Sequence, residues 1–264
     1  TSREMNCKNC DSNLRTDFAY CPTCGARVVQ KRLTFRNLAA DVYERVFNID
    51  NTIFRTIRDL TVRPEHVIHA YVAGIRRKYM NPLNYLGLAI FISGALFYAM
   101  RKFAMDRINF DVFGTGMTNA ASVKIMDAVM EYSSFVFLLY IPIIGCSGYL
   151  TLNRQDYNLP EYMVASSYAL AHISILTFLP SLLIMLFLPE HYIQYSLIMM
   201  LFMFGYSLWA FLRLGTYSLA SGLGRSIIFL LLFFLGYLAL SLGLNMVFFL
   251  TGEVSLEDFR PIEK

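Results

Sequence analysis

Cys7, Cys10, Cys21 and Cys24 are spaced C-x2-C-x10-C-x2-C in the stretch CKNCDSNLRTDFAYCPTCG. Each C-x-x-C turn can bring two thiolates onto one metal, and the ten-residue spacer suits a short β-hairpin that carries the second pair to the first. Four thiolates around one ion form a closed tetrahedral site with no open position for a substrate, so the expected metal is structural. Zinc is the expected ion, with iron of the rubredoxin kind the alternative, because four thiolates suit both. Two disulfides or four free thiols are the competing readings, and disulfides require an oxidising compartment. Gly25 follows the second pair, where a knuckle often needs positive φ, and Asp11 holds the matching place after the first. Some two dozen residues bury little core, so an ion would staple them.

A second set of chemically able residues lies in PEYMVASSYALAH. Ionisable groups inside membrane spans are costly and are functional candidates by default. Eleven residues at about 100° each return Glu161 and His172 to within about 20° of one face, with Tyr168 between them. Such a stripe could carry protons, bind a polar headgroup or hold a second metal. The plainer reading makes Glu161 a helix-start acid and gives His172 one interhelical hydrogen bond. Cys146, alone in an apolar run, reads as a packing residue, and His66 and His69 as satisfied polar residues. GTYSLASGLGR lacks the phosphate-cradling glycine pattern and reads as a turn or flexible loop. There is no nucleophile elbow, H-E-x-x-H or kinase set, so no catalytic residue is assigned and an enzyme is the less favoured class.

The elements that must position these residues are mostly apolar. Hydrophobic residues make up 56% of the chain and charged ones 16%, too greasy a balance for a soluble domain. Five segments are long and apolar enough to span: about 83–100, 133–152, 161–188, 192–212 and 226–250. Residues 101–132 read as an outer amphipathic helix or a re-entrant piece. With the N-terminus inside, 17 basic residues fall on the inner side and 6 on the outer, which predicts a cytoplasmic head. The first 80 residues hold no apolar run, which argues against a cleaved leader.

Charge is concentrated at residues 26–80, with eleven basic against five acidic side chains. Beside a greasy segment, such a collar suggests anionic lipid headgroups before nucleic acid. LTFRNLAADVYERVFNID reads as a helix from about Phe35. NTIFRTIRDL reads as a second, with Ile53, Phe54, Ile57 and Leu60 apolar and an Arg55/Asp59 pair at i,i+4. In RPEHVIHAYVAGIRRKYMNP, Pro64 opens a third helix with the stripe Val67, Ile68, Tyr71, Val72 and Ile75. These amphipathic helices are expected in the membrane interface or packed on the spans, the alternative being a small soluble bundle. Arg76, Arg77 and Lys78 directly precede the first span and are the candidate headgroup contacts.

The paired cysteines, then RLTFRNL, then NTIFRTIRDLTVRPEHVIHAYVAGIRRKYMNPLNYL resemble a bacterial family of multi-pass membrane proteins with a short N-terminal zinc ribbon, the domain-of-unknown-function 3667 type. The resemblance covers about the first third of the chain and implies fold plan and metal, with no known activity. The expected fold is mainly α, a polytopic helical membrane protein of about five spans. Its expected parts are a zinc ribbon at 1–30, basic amphipathic helices at the cytoplasmic membrane interface at 31–80, and a transmembrane domain at 81–264. The expected role is a docking module in the bacterial inner membrane for a protein partner, or a homo-oligomer, with phospholipid contacts and no nucleic acid. A transporter or pore through the third span is the alternative, and an intramembrane lipid-modifying enzyme the third choice.

Overall fold

A computed structural model of the chain describes residues 5–7, 9–15, 17–25, 28, 52–108, 124–125, 133–153 and 156–252. It divides into two units, 1–49 and 50–264. The helix expected from Phe35 and most of 101–132 lie outside the described residues.

In the first unit, β1 (Met5–Asn6) pairs antiparallel with β2 (Asn13–Leu14), Met5 opposite Leu14. The hairpin therefore brackets the first cysteine pair. The spacer was expected to form the hairpin by itself; instead its first half returns to a strand that precedes Cys7. The second pair is bracketed similarly, with the Val28 amide donating to the Ala19 carbonyl at 2.9 Å.

Among its described residues, the regular elements of the second unit are all helices. Helix α1 (52–62) is followed by α2 (Pro64–Val72), where Pro64 suits a first turn whose amide has no partner and Glu65 sits at the positive end. Gly74 stops α2. At φ +83° it takes the left-handed conformation, its amide donates to Tyr71 and that of Ile75 to Ala70 at 2.8 Å. Ile75, expected on the apolar stripe, thus leaves the helix and is 53% exposed. Helix α3 (Pro82–Phe103) starts from Asn81, whose side-chain oxygen accepts from the Leu83 amide at 3.0 Å.

Helices α4 (Ser133–Leu152), α5 (Leu159–Phe187), α6 (Tyr192–Leu212) and α7 (Leu219–Leu250) complete the body. Pro82–Phe103, Leu159–Phe187, Pro189–Leu212 and Leu219–Leu250 are long and apolar enough to cross a bilayer, and Ser133–Leu152 adds a helix of 20 residues, apolar over Val136–Leu152. The outer surface is correspondingly greasy: Phe91, Leu242 and Leu250 are each more than two-thirds exposed. A large apolar exterior with backbone hydrogen bonds closed inside helices is what hydrocarbon requires. The protein is a polytopic helical membrane protein.

Residues 219–225, expected as a turn or loop, instead form the first turns of α7. The Gly222 amide donates to Ser218 O at 2.8 Å, and Arg225 reaches the Thr151 carbonyl at 2.6 Å, so tertiary contact holds a Gly/Ser-rich start helical. Cys146 is exposed on α4, not packed in the core as expected.

Helix α5 is the hub, packing on α3, α4 and α6, while α7 closes on α4. Two glycines permit the close approaches. A Cβ at Gly148 of α4 would lie 2.3 Å from the Phe211 ring, and one at Gly236 of α7 would lie 2.6 Å from Ile143. The core between them holds Tyr85, Tyr162, Tyr168, Phe211, Phe229 and Phe233, each essentially inaccessible. Several span hydroxyls are satisfied locally: Ser147, Ser166, Ser167 and Thr177 each donate to the carbonyl four residues earlier.

Candidate metal centre and basic collar

The four cysteine sulphurs lie within 4.8 Å of one another. Cys7 and Cys24 Sγ are 3.7 Å apart, as are Cys10 and Cys21. A tetrahedral zinc with sulphurs at about 2.3 Å needs them about 3.8 Å apart, so the donor set fits one ion and no cysteine is in a disulfide. The knuckles fold as metal ligation asks. The Asp11 amide donates to Cys7 O at 2.8 Å and the Gly25 amide to Cys21 O at 2.9 Å, with φ +55° at Asp11 and +72° at Gly25. Ser12 Oγ, 3.3 Å from the Cys21 sulphur, is the main reason that thiol is pulled down to about 5. At Cys7 the Asn9 and Cys10 amides pull the same way, but burial and the neighbouring sulphurs outweigh them and leave it at about 11. Binding a cation would displace the protons that remain.

The collar is joined to the body by side chains of the spans that reach its backbone. Tyr168 donates to Met80 O at 2.7 Å and Tyr206 to Leu60 O at 2.9 Å. Leu60, Val67 and Ile68 enter the same core as Tyr85 and Tyr168. Glu65 of α2 takes a two-pronged hydrogen bond from Arg213 just after α6, at 2.6 and 3.1 Å, with Glu65 13% and Arg213 49% exposed. Burial raises the Glu65 carboxyl, but the Arg213 bonds outweigh it and hold the group below its ordinary range. His69 bonds Tyr157, and burial holds its pKa low.

His172 lies under this lid, 0% exposed. Thr61 Oγ1 donates to Ile57 O at 2.8 Å, so toward His172 Nε2, 3.2 Å away, it accepts. That places a proton on Nε2, while Nδ1 shares a hydrogen bond with the Tyr85 hydroxyl at 2.9 Å. Both ring nitrogens have partners, and Tyr206 packs against the ring at 5.3 Å between centroids. Tyr168 packs against Tyr85 but hydrogen-bonds Met80. Glu161 is occupied elsewhere: its carboxylate accepts from the Asn158 amide at 2.8 Å while Asn158 caps the Glu161 amide. Of the three candidate residues, the structure brings Tyr168 and His172 to the collar and leaves Glu161 at the helix start.

Arg76, Arg77 and Lys78 are exposed in the irregular segment after α2. Arg76 lies over the Tyr71 ring at 5.5 Å and Lys78 over Tyr79 at 5.2 Å. Asp59 does not pair with Arg55 as the spacing suggested. It accepts from Arg58 at 2.8 Å and from the Tyr79 hydroxyl at 2.9 Å, because the returning segment brings Tyr79 across α1. Burial raises the Asp59 carboxyl, yet these two bonds hold it below its ordinary range, while burial and the bond to Asp59 push Tyr79 up to about 12. Sequence spacing missed Thr61 and Tyr85 as partners of His172, and no local signal marks them.

Residues 50–94 match a family model described as "Protein of unknown function (DUF3667)". The chain carries a DUF3667-type domain. No curated protein and no solved structure matches the chain. The DUF3667 segment runs through α1, α2 and the first part of α3. It therefore supplies both Thr61 and Tyr85 to His172, both carbonyls that the span tyrosines reach, and the exposed Arg76–Lys78.

Proposed function

We propose that the protein is a membrane-anchored docking module of the bacterial inner membrane. In this reading the N-terminal ribbon, at about residues 1–30, is cytoplasmic. It holds one zinc through Cys7, Cys10, Cys21 and Cys24 and offers its surface to a protein partner. The metal supplies rigidity and no reaction, since four thiolates leave it no open coordination position. The basic helices of residues 31–80 lie at the headgroup level, with Arg76, Arg77 and Lys78 against phospholipid.

The observation that carries the reading is the way the collar is fixed. Two of its carbonyls accept from span tyrosines and Thr61 meets His172 of α5, while its cations are exposed. A transport path through Tyr168 and His172 finds no such support, because both side chains already have partners within the protein.

Capture of the full chain from native membranes tests this. A protein partner in stoichiometric yield is expected with the wild type and lost with Cys21→Ser while the spans stay inserted. An identical set of captured proteins for both would defeat the reading.

A further inference from the structure

One charged groove shares only Lys78 with the headgroup contacts named in that reading. Arg55, Arg58, Asp59 and Val62 of α1, Arg63 at the α1–α2 junction, His66 of α2, and Lys78 and Tyr79 of the returning segment line a groove of about 600 Å³. That size lies within the range of small-ligand sites, about 300–1,000 Å³. Residues 55, 58, 59 and 62 recur at helical spacing, so α1 presents one wall, and Arg63 and His66 extend the lining past the helix break.

The groove is built and braced. Thr56 Oγ1 accepts from the Met80 amide at 2.9 Å and donates to Thr52 O at 2.6 Å, which ties the returning segment to α1. Below, the Asp59–Tyr79 bond fixes the floor.

Its charge is unbalanced. Four fixed cations face one carboxylate, and Asp59 is already engaged by Arg58. Among the described residues, Arg55, Arg63 and Lys78 have no acidic partner of their own. Like charges held this close repel, and an anion between them removes that repulsion. Guanidinium forks from two directions, with an ammonium and an imidazole beside them, suit an acceptor whose oxygens point several ways. A monocarboxylate offers only one edge. We propose that this groove binds a phosphate oxyanion, belonging either to an anionic phospholipid headgroup or to a soluble phosphate compound. It shares Lys78 with the docking reading but does not rest on it, since it needs neither a protein partner nor the ribbon.

The test uses the full chain. Phenylglyoxal modifies accessible arginines, and mass spectrometry maps each site. The protein is labelled in detergent with and without inorganic phosphate, and in nanodiscs of phosphatidylglycerol or phosphatidylcholine. Arg55 and Arg63 are expected to be protected more than Arg15 and Arg101. Protection by inorganic phosphate identifies a soluble ligand, and protection by phosphatidylglycerol alone identifies a headgroup. Alongside, Arg55→Gln with Arg63→Gln should weaken binding of the protecting anion about tenfold or more, at an unchanged melting temperature. Equal labelling of Arg55 and Arg63 under all four conditions, or equal protection of Arg15, overturns the assignment even if the double variant fails to fold.

Discussion

In the ribbon, Cys7, Leu14 and Cys21 are the buried apolar cluster, with Phe18 and Val28 half-covering it. In the collar, Leu60, Val67 and Ile68 enter a core that runs on through Tyr85, Tyr162 and Phe211 into the spans. The two regions are close in sequence and both rich in polar residues, yet their order has different sources. Two of the three ribbon core residues belong to the cysteine cluster that can hold a metal, so an ion bound there would hold the core together. The collar is fixed by burial and by hydrogen bonds to helices far along the chain. Local stability therefore follows what each region is attached to, rather than its own composition.

Removing the metal should separate the regions most sharply. Structural zinc contributes on the order of 10 kcal/mol to small thiolate sites. A strong chelator, or Cys21→Ser, is expected to abolish amide protection across residues 5–28 and leave 52–108 and 133–250 unchanged. Elemental analysis with hydrogen exchange measures both effects. Protection lost from both regions together would show that they share one source of order.

A smaller effect should follow His172→Leu. It leaves the Tyr85 hydroxyl and Thr61 without their nitrogen partner inside the body. The expected loss is about 1 to 2 kcal/mol, read as faster exchange in α1 with zinc content intact. Unchanged exchange in α1 would mean that the histidine does not hold the collar.

The smallest effect concerns acid. Burial holds His69 below its ordinary value of 6.5, so its contribution is complete above that pH and is lost as pH falls through the depressed value. Asp59 and Glu65 are also depressed, and their contributions fade only below their ordinary 3.8 and 4.5. Exchange in residues 52–72 should therefore rise in two steps on acidification, and Glu65→Gln should remove part of the lower one. A single step near pH 4 would exclude His69 from the first.

Much of this was readable from the chain because the governing physics is local. Thiolate spacing, the positive φ at Asp11 and Gly25, the proline start of α2 and the apolar length of the spans each depend on a few neighbouring residues. The partners of His172 were not readable. Tyr85 and Thr61 lie 87 and 111 positions away in sequence and meet it only after α3 and α5 pack. Helical phase alone says nothing of height along the axis: Tyr168 and His172 are buried, while Glu161 sits where a helix needs a cap. The groove was hidden for a similar reason: Lys78 and Tyr79 join α1 only because Gly74 turns the chain back.

The end of α4 has a consequence for how the protein is made. Its final carbonyls receive Tyr162 from α5, Tyr217 from the loop after α6, and Arg225 from α7. Ile143 of the same helix fills the space left by Gly236 of α7. Synthesis delivers these partners in order, the last of them with the final described helix. Until α7 emerges, the Thr151 carbonyl of α4 lacks its arginine donor and Ile143 lacks the glycine notch it enters. Helix α4 is thus completed by the last described helix, and a nascent chain interrupted before residue 219 would present cellular quality control with a specific, recognisable defect.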